Sequence, residues 1–439
     1  MNQFHDIIPG SSIFEVYEES DRQYQQVREE VGNVVLQYMQ EFAAHTQGKG
    51  IFVYNPNSFE ASGYVQNGDE LLYAEKIPPL GWKVIKEEKE EGTIYADKTK
   101  IESGIYRIVF DKNMNIASLY DKENQREIVP DGKAINVFRA FEDYPRCYDN
   151  WEITNYYKQK MWIIDDVKGV NVLSGNGFGG VEIIRNYMNS EIRQKVIVYV
   201  KNRRIDFITE VDWHEKHTLL KAAFPFDIHA NKATYEIQFG HVERANHFNT
   251  SWEQAKFEVC AHKWADVSEE GYGVSLLNNC KYGHSMSDGA MSLTLIKCGT
   301  YPNENSDQGQ HCFTYSLYPH KGGFKQGGTI QEAYLLNRSF LLMEAKGGGA
   351  LQNEFSLVSS DSENIVIETV KKAESGKGIV IRLYDAWDKK SKPELKLGFD
   401  AKKIYLCDML ENKQKEIGCG NRVQISMNNF EIVTLLAEL

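Results

Sequence analysis

No proline falls between Ser12 and Thr46, and Gly48 and Gly50 follow as stop signals, so this stretch predicts one long helix. Ser12-Ile13-Phe14-Glu15 reads as its capping box, a serine hydroxyl and a glutamate three residues on satisfying the first free amides. Its apolar residues are Ile13, Tyr17, Tyr24, Val27, Val31, Val34, Tyr38 and Phe42, spaced mostly by alternating threes and fours. That spacing gives one narrow stripe, of the kind a bundle or coiled coil buries. At 1.5 Å per residue the helix is roughly 50 Å long. No other segment predicts a helix of comparable length. Each large side chain left in water costs about 1.5–3 kcal/mol relative to burial. The stripe therefore calls for a partner chain, a dimer mate or a further segment.

After residue 50 the period changes from helical to two. Ile51-Phe52-Val53-Tyr54 ends in the turn Asn55-Pro56-Asn57, and Ile77-Pro78-Pro79-Leu80-Gly81-Trp82 is another punctuated segment. The run Lys86–Gly92 reads as a solvated connector. Short strands follow at 104–110, 116–120, 180–186, 193–200, 205–211, 219–226, 256–261, 274–277, 292–296 and 313–318, parted by turns rich in Gly, Asn and Asp. Many short strands at even spacing mean sandwich or barrel sheets. A short helical segment near Thr329–Asn337 precedes a small terminal sandwich over about 355–439. The expected fold is mainly β, a long N-terminal helix followed by β-sandwiches. The expected regions are 1–48, 49–92, 93–328 and 329–439.

Composition narrows the function. A net charge of −12 argues against nucleic acid and anionic membranes, which need clustered Lys and Arg. No apolar run approaches a membrane span, and the first residues lack a signal peptide's basic and apolar regions. The seven cysteines show no CxxC spacing, and Cys260, Cys298, Cys312 and Cys407 lie in strand-like apolar surroundings. Buried free thiols in a reducing cytoplasm are the expectation.

Four polar clusters read as loops of the β region. In 141–151, Glu142, Asp143, Arg146, Asp149 and Trp151 together suit sugar recognition, since carboxylates accept hydroxyl hydrogen bonds and an aromatic face covers a pyranose. An ordinary surface loop with a packed tryptophan has the same composition. The second cluster is Phe239–Arg244 with Asn246, His247, Asn249, Thr250, Ser251 and Trp252. Its histidines lack metal-site spacing and read as hydrogen-bonded structural residues. The third is His262-Lys263-Trp264-Ala265-Asp266, and the fourth is Asp307-Gln308-Gly309-Gln310-His311. No phosphate loop, GxSxG elbow or HExxH is present. At the other end, His5 and Asp6 stand side by side before the Pro9-Gly10 turn, either a reactive pair or a solvated terminus.

In this order, Asn2–Ser12, Phe239–Arg244, Asn249–Trp252, Phe257–Asp266 with Gly271–Val274, Thr300-Tyr301-Pro302 and Asp307-Gln308-Gly309 resemble glycoside hydrolase family 38. These are the retaining, metal-dependent α-mannosidases, and the similarity is to their cytosolic and bacterial branch. It covers essentially the whole chain. It implies a helical-bundle remnant, a mutarotase-like β-supersandwich and a smaller sandwich. It also implies an α/β barrel holding the nucleophile, the acid/base carboxylate and three of four zinc ligands, which no segment of these 439 residues matches.

The resemblance assigns His5 to zinc and Asp6 to the mannose hydroxyls. Asp149, Trp151, Asp307 and Gln308 are the further candidates for substrate contact. No carboxylate here matches the family's catalytic pair, which retaining hydrolysis needs about 5–5.5 Å apart. The expected protein is therefore the C-terminal part of a cytoplasmic α-mannosidase acting on mannose-containing oligosaccharides, from a truncated or split reading frame with Met1 an internal start. It is expected to be inactive without the barrel half or a dimer mate. A free carbohydrate-binding sandwich using 141–151 and 307–311 is the alternative. A mutarotase-type enzyme using a histidine and a carboxylate is a third reading.

Overall fold

The computed structural model describes residues 10–68, 70–87, 92–287 and 289–439. His5, Asp6 and most of the 86–92 connector lie outside the described residues. The long helix, α1, spans Phe14–Ala44, one helix of 31 residues. Of its residues only Met39 and Ala43 are buried. The stripe is left in solvent, with Tyr24 63 %, Val27 54 % and Val31 56 % exposed. At its start Ser12 is buried and its backbone N–H donates to the Tyr17 hydroxyl at 3.0 Å.

The chain divides into two compact units. One comprises residues 1–35, 90–235 and 243–329, the other 36–89, 236–242 and 330–439. The first is dominated by two antiparallel sheets. The nine-stranded sheet runs, in spatial order, Asp166–Gly175, Phe178–Tyr187, Ser190–Tyr199, Ile205–Trp213, Gly309–Lys321, Tyr272–Asn278, Trp264–Glu269, Lys232–Ile237 and Gly240–Ala245. The six-stranded sheet runs Met161–Ile163, Val137–Glu142, Thr218–Pro225, Ala290–Cys298, Gly283–Ser287 and Val259–Cys260.

Strand identity follows the residues. In Ile205–Trp213 the alternate side chains Ile205, Phe207, Val211 and Trp213 are buried, the period-two pattern of a half-covered strand. Thr218–Pro225 is buried throughout, a central strand covered on both faces. Phe207 and Tyr315 of the larger sheet meet Phe224 of the smaller at ring distances of 6.1 and 5.9 Å. These aromatics form the interface of the two layers. A five-stranded sheet over residues 95–127 completes the unit.

In the second unit Lys49–Asn55 lies between Leu341–Lys346 and Gly81–Ile85, with Ile51 opposite both Glu344 and Ile85. Met39 and Ala43 pack here with Phe52, Trp82 and Ala345. The α-helix Thr329–Asn337 falls at the expected place. Beyond it a six-stranded sheet closes around Val358, Ile367, Leu383, Leu395, Ile404 and Leu435.

Three expectations are corrected. The strand expected at 256–261 is reduced to Val259–Cys260, because Ser251–Gln254 is a helical turn with a complete Thr250–Glu253 capping box. Two clusters read as loops are strands over part of their length, Gly240–Ala245 and Trp264–Glu269. All seven cysteines are free, but only Cys298 and Cys407 are buried, and Cys260 and Cys312 are exposed.

Candidate functional site

The strand Ala290–Cys298 belongs to the six-stranded sheet and Gly309–Lys321 to the nine-stranded one. The segment 299–308 must therefore cross between layers. It does so against the loop 143–151, which leaves the strand Val137–Glu142. Asp149 holds the two loops together. Its carboxylate accepts from the Thr300 N–H at 2.7 Å, the Tyr301 N–H at 2.8 Å and the Thr300 hydroxyl at 3.1 Å. His217 Nδ1 lies 3.3 Å from the same carboxylate. Burial raises the Asp149 pKa, but these donors outweigh it and hold the carboxyl below its ordinary value.

Lys297 is the second tie. Its ammonium sits 2.7 Å from Asp143 Oδ2 and also donates to the Asp149 carbonyl. Asp143 is buried, and burial raises its pKa although Lys297 opposes the shift. Gly299 is required by the close approach, since a Cβ there would lie 2.0 Å from Asn150 Oδ1. Three non-glycine residues of this region, Tyr148, His217 and Asp307, have left-handed backbones with φ of 50°, 49° and 55°. Such conformations persist only where the surrounding contacts over-determine them, and they gather at ligand sites.

These ties leave a cleft of about 380 Å³. Its lining combines Gly10, Phe14, Tyr17 and Asp21 from the N-terminal segment with Asn150, Lys297, Asn303, Asn305, Ser306, Asp307, Gln308 and His311. The lining is rich in amide, hydroxyl and carboxylate groups, the set that exchanges hydrogen bonds with sugar hydroxyls. Asp307 accepts from His311 Nε2 at 2.9 Å through its backbone carbonyl. Its carboxylate is exposed and interacts electrostatically with Lys281. Gln308 Nε2 donates to the Glu215 carbonyl at 2.7 Å, which fixes the amide.

Of the sequence candidates, Asp307 and Gln308 line the cleft together. Asp149 braces the loop behind it, and its oxygens are engaged by backbone and hydroxyl donors. Trp151 is 51 % exposed on the same loop and is not in the cleft wall. His5 and Asp6 lie outside the described residues, whereas Gly10, the first described residue, lines the cleft. Lys297, Asn150 and Asn303 were not singled out from the sequence. The one available signal was Lys297, a cation closing the otherwise apolar alternation of residues 291–298.

His241 Nδ1 is 3.1 Å from the Ala386 carbonyl, as suits a structural histidine. His320 pairs with Asp266 at 2.8 Å beside Ser275, but His320 and Ser275 are 0 % exposed and Asp266 2 %. A pair sealed in this way meets no substrate, which removes the tightest histidine–carboxylate couple from any mutarotase-type chemistry. Among the described residues no three His, Cys, Asp or Glu side chains converge to hold a metal. The described residues therefore do not make a zinc site by themselves.

Comparison with known proteins agrees with this architecture. The profile of the glycosyl hydrolases family 38 C-terminal domain matches residues 101–305, and that of the family's C-terminal β-sandwich domain matches 364–435. The α-mannosidase middle domain matches residues 1–42. The chain belongs to glycosyl hydrolase family 38, of whose C-terminal domains it is built. Among its family 38 relatives, human α-mannosidase 2C1 is 32 % identical over 100 % of this chain and 44 % of its own length. α-Mannosidase G of Dictyostelium discoideum is 30 % identical over 98 % of this chain and 46 % of its own. The chain thus spans about half the length of these curated relatives. An α-mannosidase structure from Enterococcus faecalis V583 superposes with a TM-score of 0.71 at 16 % identity, covering 89 % of this chain and 51 % of that one. That similarity is one of fold.

Proposed function

We propose that this chain is the C-terminal part of a retaining, zinc-dependent α-mannosidase that removes terminal α-D-mannosyl residues from oligosaccharides. The observation that supports this reading is the cleft, whose lining includes the motif residues Asp307 and Gln308 together with Gly10. In this reading Asp6, Asp307 and Gln308 orient mannose through its hydroxyls, and Lys297 with Asp149 holds the loop that carries them. His5 is the one zinc ligand of this chain. The nucleophile, the acid/base carboxylate and the remaining ligands come from a barrel-bearing segment that docks on the exposed stripe of α1. The free thiols suit a reducing cytoplasm. No described helix is long and apolar enough to cross a membrane.

A second reading, a free carbohydrate-binding module, is favoured by the exposed rings of Tyr148 and Tyr301, 5.6 Å apart, beside Trp151. Two assays on the purified chain separate the readings. The α-mannosidase-part reading expects no hydrolysis of an aryl α-mannoside and no saturable binding of mannotriose. Binding that Trp151→Ala abolishes would establish the module instead.

A further inference from the structure

Away from the cleft, the outer strands of the two large sheets face a second, smaller cavity. Gly240–Ala245 ends the nine-stranded sheet and Val259–Cys260 ends the six-stranded one. Between them lies a cavity of about 130 Å³, whose lining includes Tyr235, Glu243, Arg244, Glu253, Lys256 and Met286. It shares no residue with the mannoside cleft.

Arg244 is the unusual group here. Its guanidinium lies 4.8 Å over the Tyr235 ring, and its Nη1 is sealed from solvent with no hydrogen-bond partner. A buried donor without an acceptor is costly, and a guanidinium has five donors to satisfy. The neighbouring carboxylates are committed elsewhere. Glu243 pairs with Lys232 at 2.9 Å. Glu253 accepts from the Thr250 N–H at 2.9 Å and lies 3.3 Å from His247 Nδ1. Glu258 pairs with the buried Lys221. Lys256 adds a second cation to the wall and has no ion-pair partner among the described residues. Burial lowers the Arg244 pKa, and no carboxylate contributes to offset it.

We propose that this cavity is an oxyanion site, in which Arg244 forks onto a phosphate monoester or a carboxylate of the ligand and Lys256 supplies the second charge. Arginine suits the role because its planar fork matches both groups bidentately. Size restricts the fit. At about 130 Å³ the cavity is well below the 380 Å³ of the mannoside cleft, a size that suits an anionic headgroup. The ligand therefore enters by its charged end and keeps its body outside. This inference is independent of the proposed mannosidase activity, since neither its residues nor its readout involve turnover.

The test is calorimetric titration of the full chain with inorganic phosphate and, separately, with acetate, in a low-salt buffer free of other oxyanions. One saturable site is expected, weakened at least about tenfold in Arg244→Gln and severalfold in Lys256→Gln, as loss of a charge-assisted bidentate contact requires. Phosphate binding without acetate binding assigns a phosphate monoester, and the reverse assigns a carboxylate. Should Arg244→Gln fail to fold, Arg244→Lys keeps the charge and loses the fork, and weaker binding in that variant supports the site. Absence of saturation by both probes, or wild-type affinity in the Arg244 variant that folds, overturns the proposal.

Discussion

The Lys297 ammonium lies 2.7 Å from the buried Asp143 carboxylate and binds the Asp149 carbonyl as well, so one side chain fastens the strand end at 297 to the loop 143–151. Both loops of the cleft depend on it. Lys297→Met leaves the Asp143 carboxylate buried without its cation. A loss of about 2–4 kcal/mol is expected in urea unfolding, below the full cost of a sealed pair because the Lys297 side chain is 20 % exposed. The double variant Lys297→Met/Asp143→Leu should recover most of that loss, because no buried charge then remains unpaired. Equal stability of Lys297→Met and wild type would show that the pair does not hold the loop.

Asp149 gives the loop a pH dependence of known sign. Its folded pKa lies below the ordinary value of 3.8. The stability it supplies is therefore fully present above that value and is lost as pH falls through the folded pKa. The melting temperature of wild type should exceed that of Asp149→Asn near neutrality. The gap should narrow as pH drops below about 4 and close only under the folded pKa, where both side chains are uncharged. A gap that is constant with pH would mean that the charge on Asp149 contributes nothing to the Thr300–Tyr301 anchor.

The stripe of α1 makes a prediction about association. Val27 and Val31 are more than half exposed and sit one turn apart on the same face. Wild type should self-associate in sedimentation velocity at high micromolar concentration, and Val27→Glu/Val31→Glu should sediment as a monomer with an unchanged melting temperature. A monomeric wild type, together with a variant that melts several degrees lower, would mean that these valines already pack within the chain.

Much of this fold is legible in the sequence because its signals are local. The absence of proline between Ser12 and Thr46 marks α1, and the apolar periodicity at 329–337 marks the shorter helix. The strands that were misread lack a local signal. Gly240–Ala245, at a sheet edge, carries His241, Glu243 and Arg244 and shows no clean alternation. In Trp264–Glu269 the polar Asp266 is buried, satisfied by His320, which lies 54 residues away. The cysteines failed similarly, since a strand-like neighbourhood does not say which face is covered, and Cys312 falls on the open one. At the site, the motif at 307–308 was visible, but its setting was not. Lys297 and Asn150 enter the cleft through contacts 148 and 153 residues apart in sequence, and no window of sequence holds such pairs.

In the proposed function, the wall bearing Asp307 and Gln308 holds the mannosyl group in an α-mannosidase completed by a barrel-bearing segment. The direct measurement is kcat/KM on an aryl α-mannoside for this chain mixed with the barrel-bearing half of a family 38 relative, comparing wild type with Asp307→Asn. Turnover is expected in the reconstituted wild type, with a fall of about 10–100-fold in Asp307→Asn, the loss of one charged hydrogen bond to the reacting sugar. Full activity in Asp307→Asn, or turnover by the chain without any added segment, would contradict it.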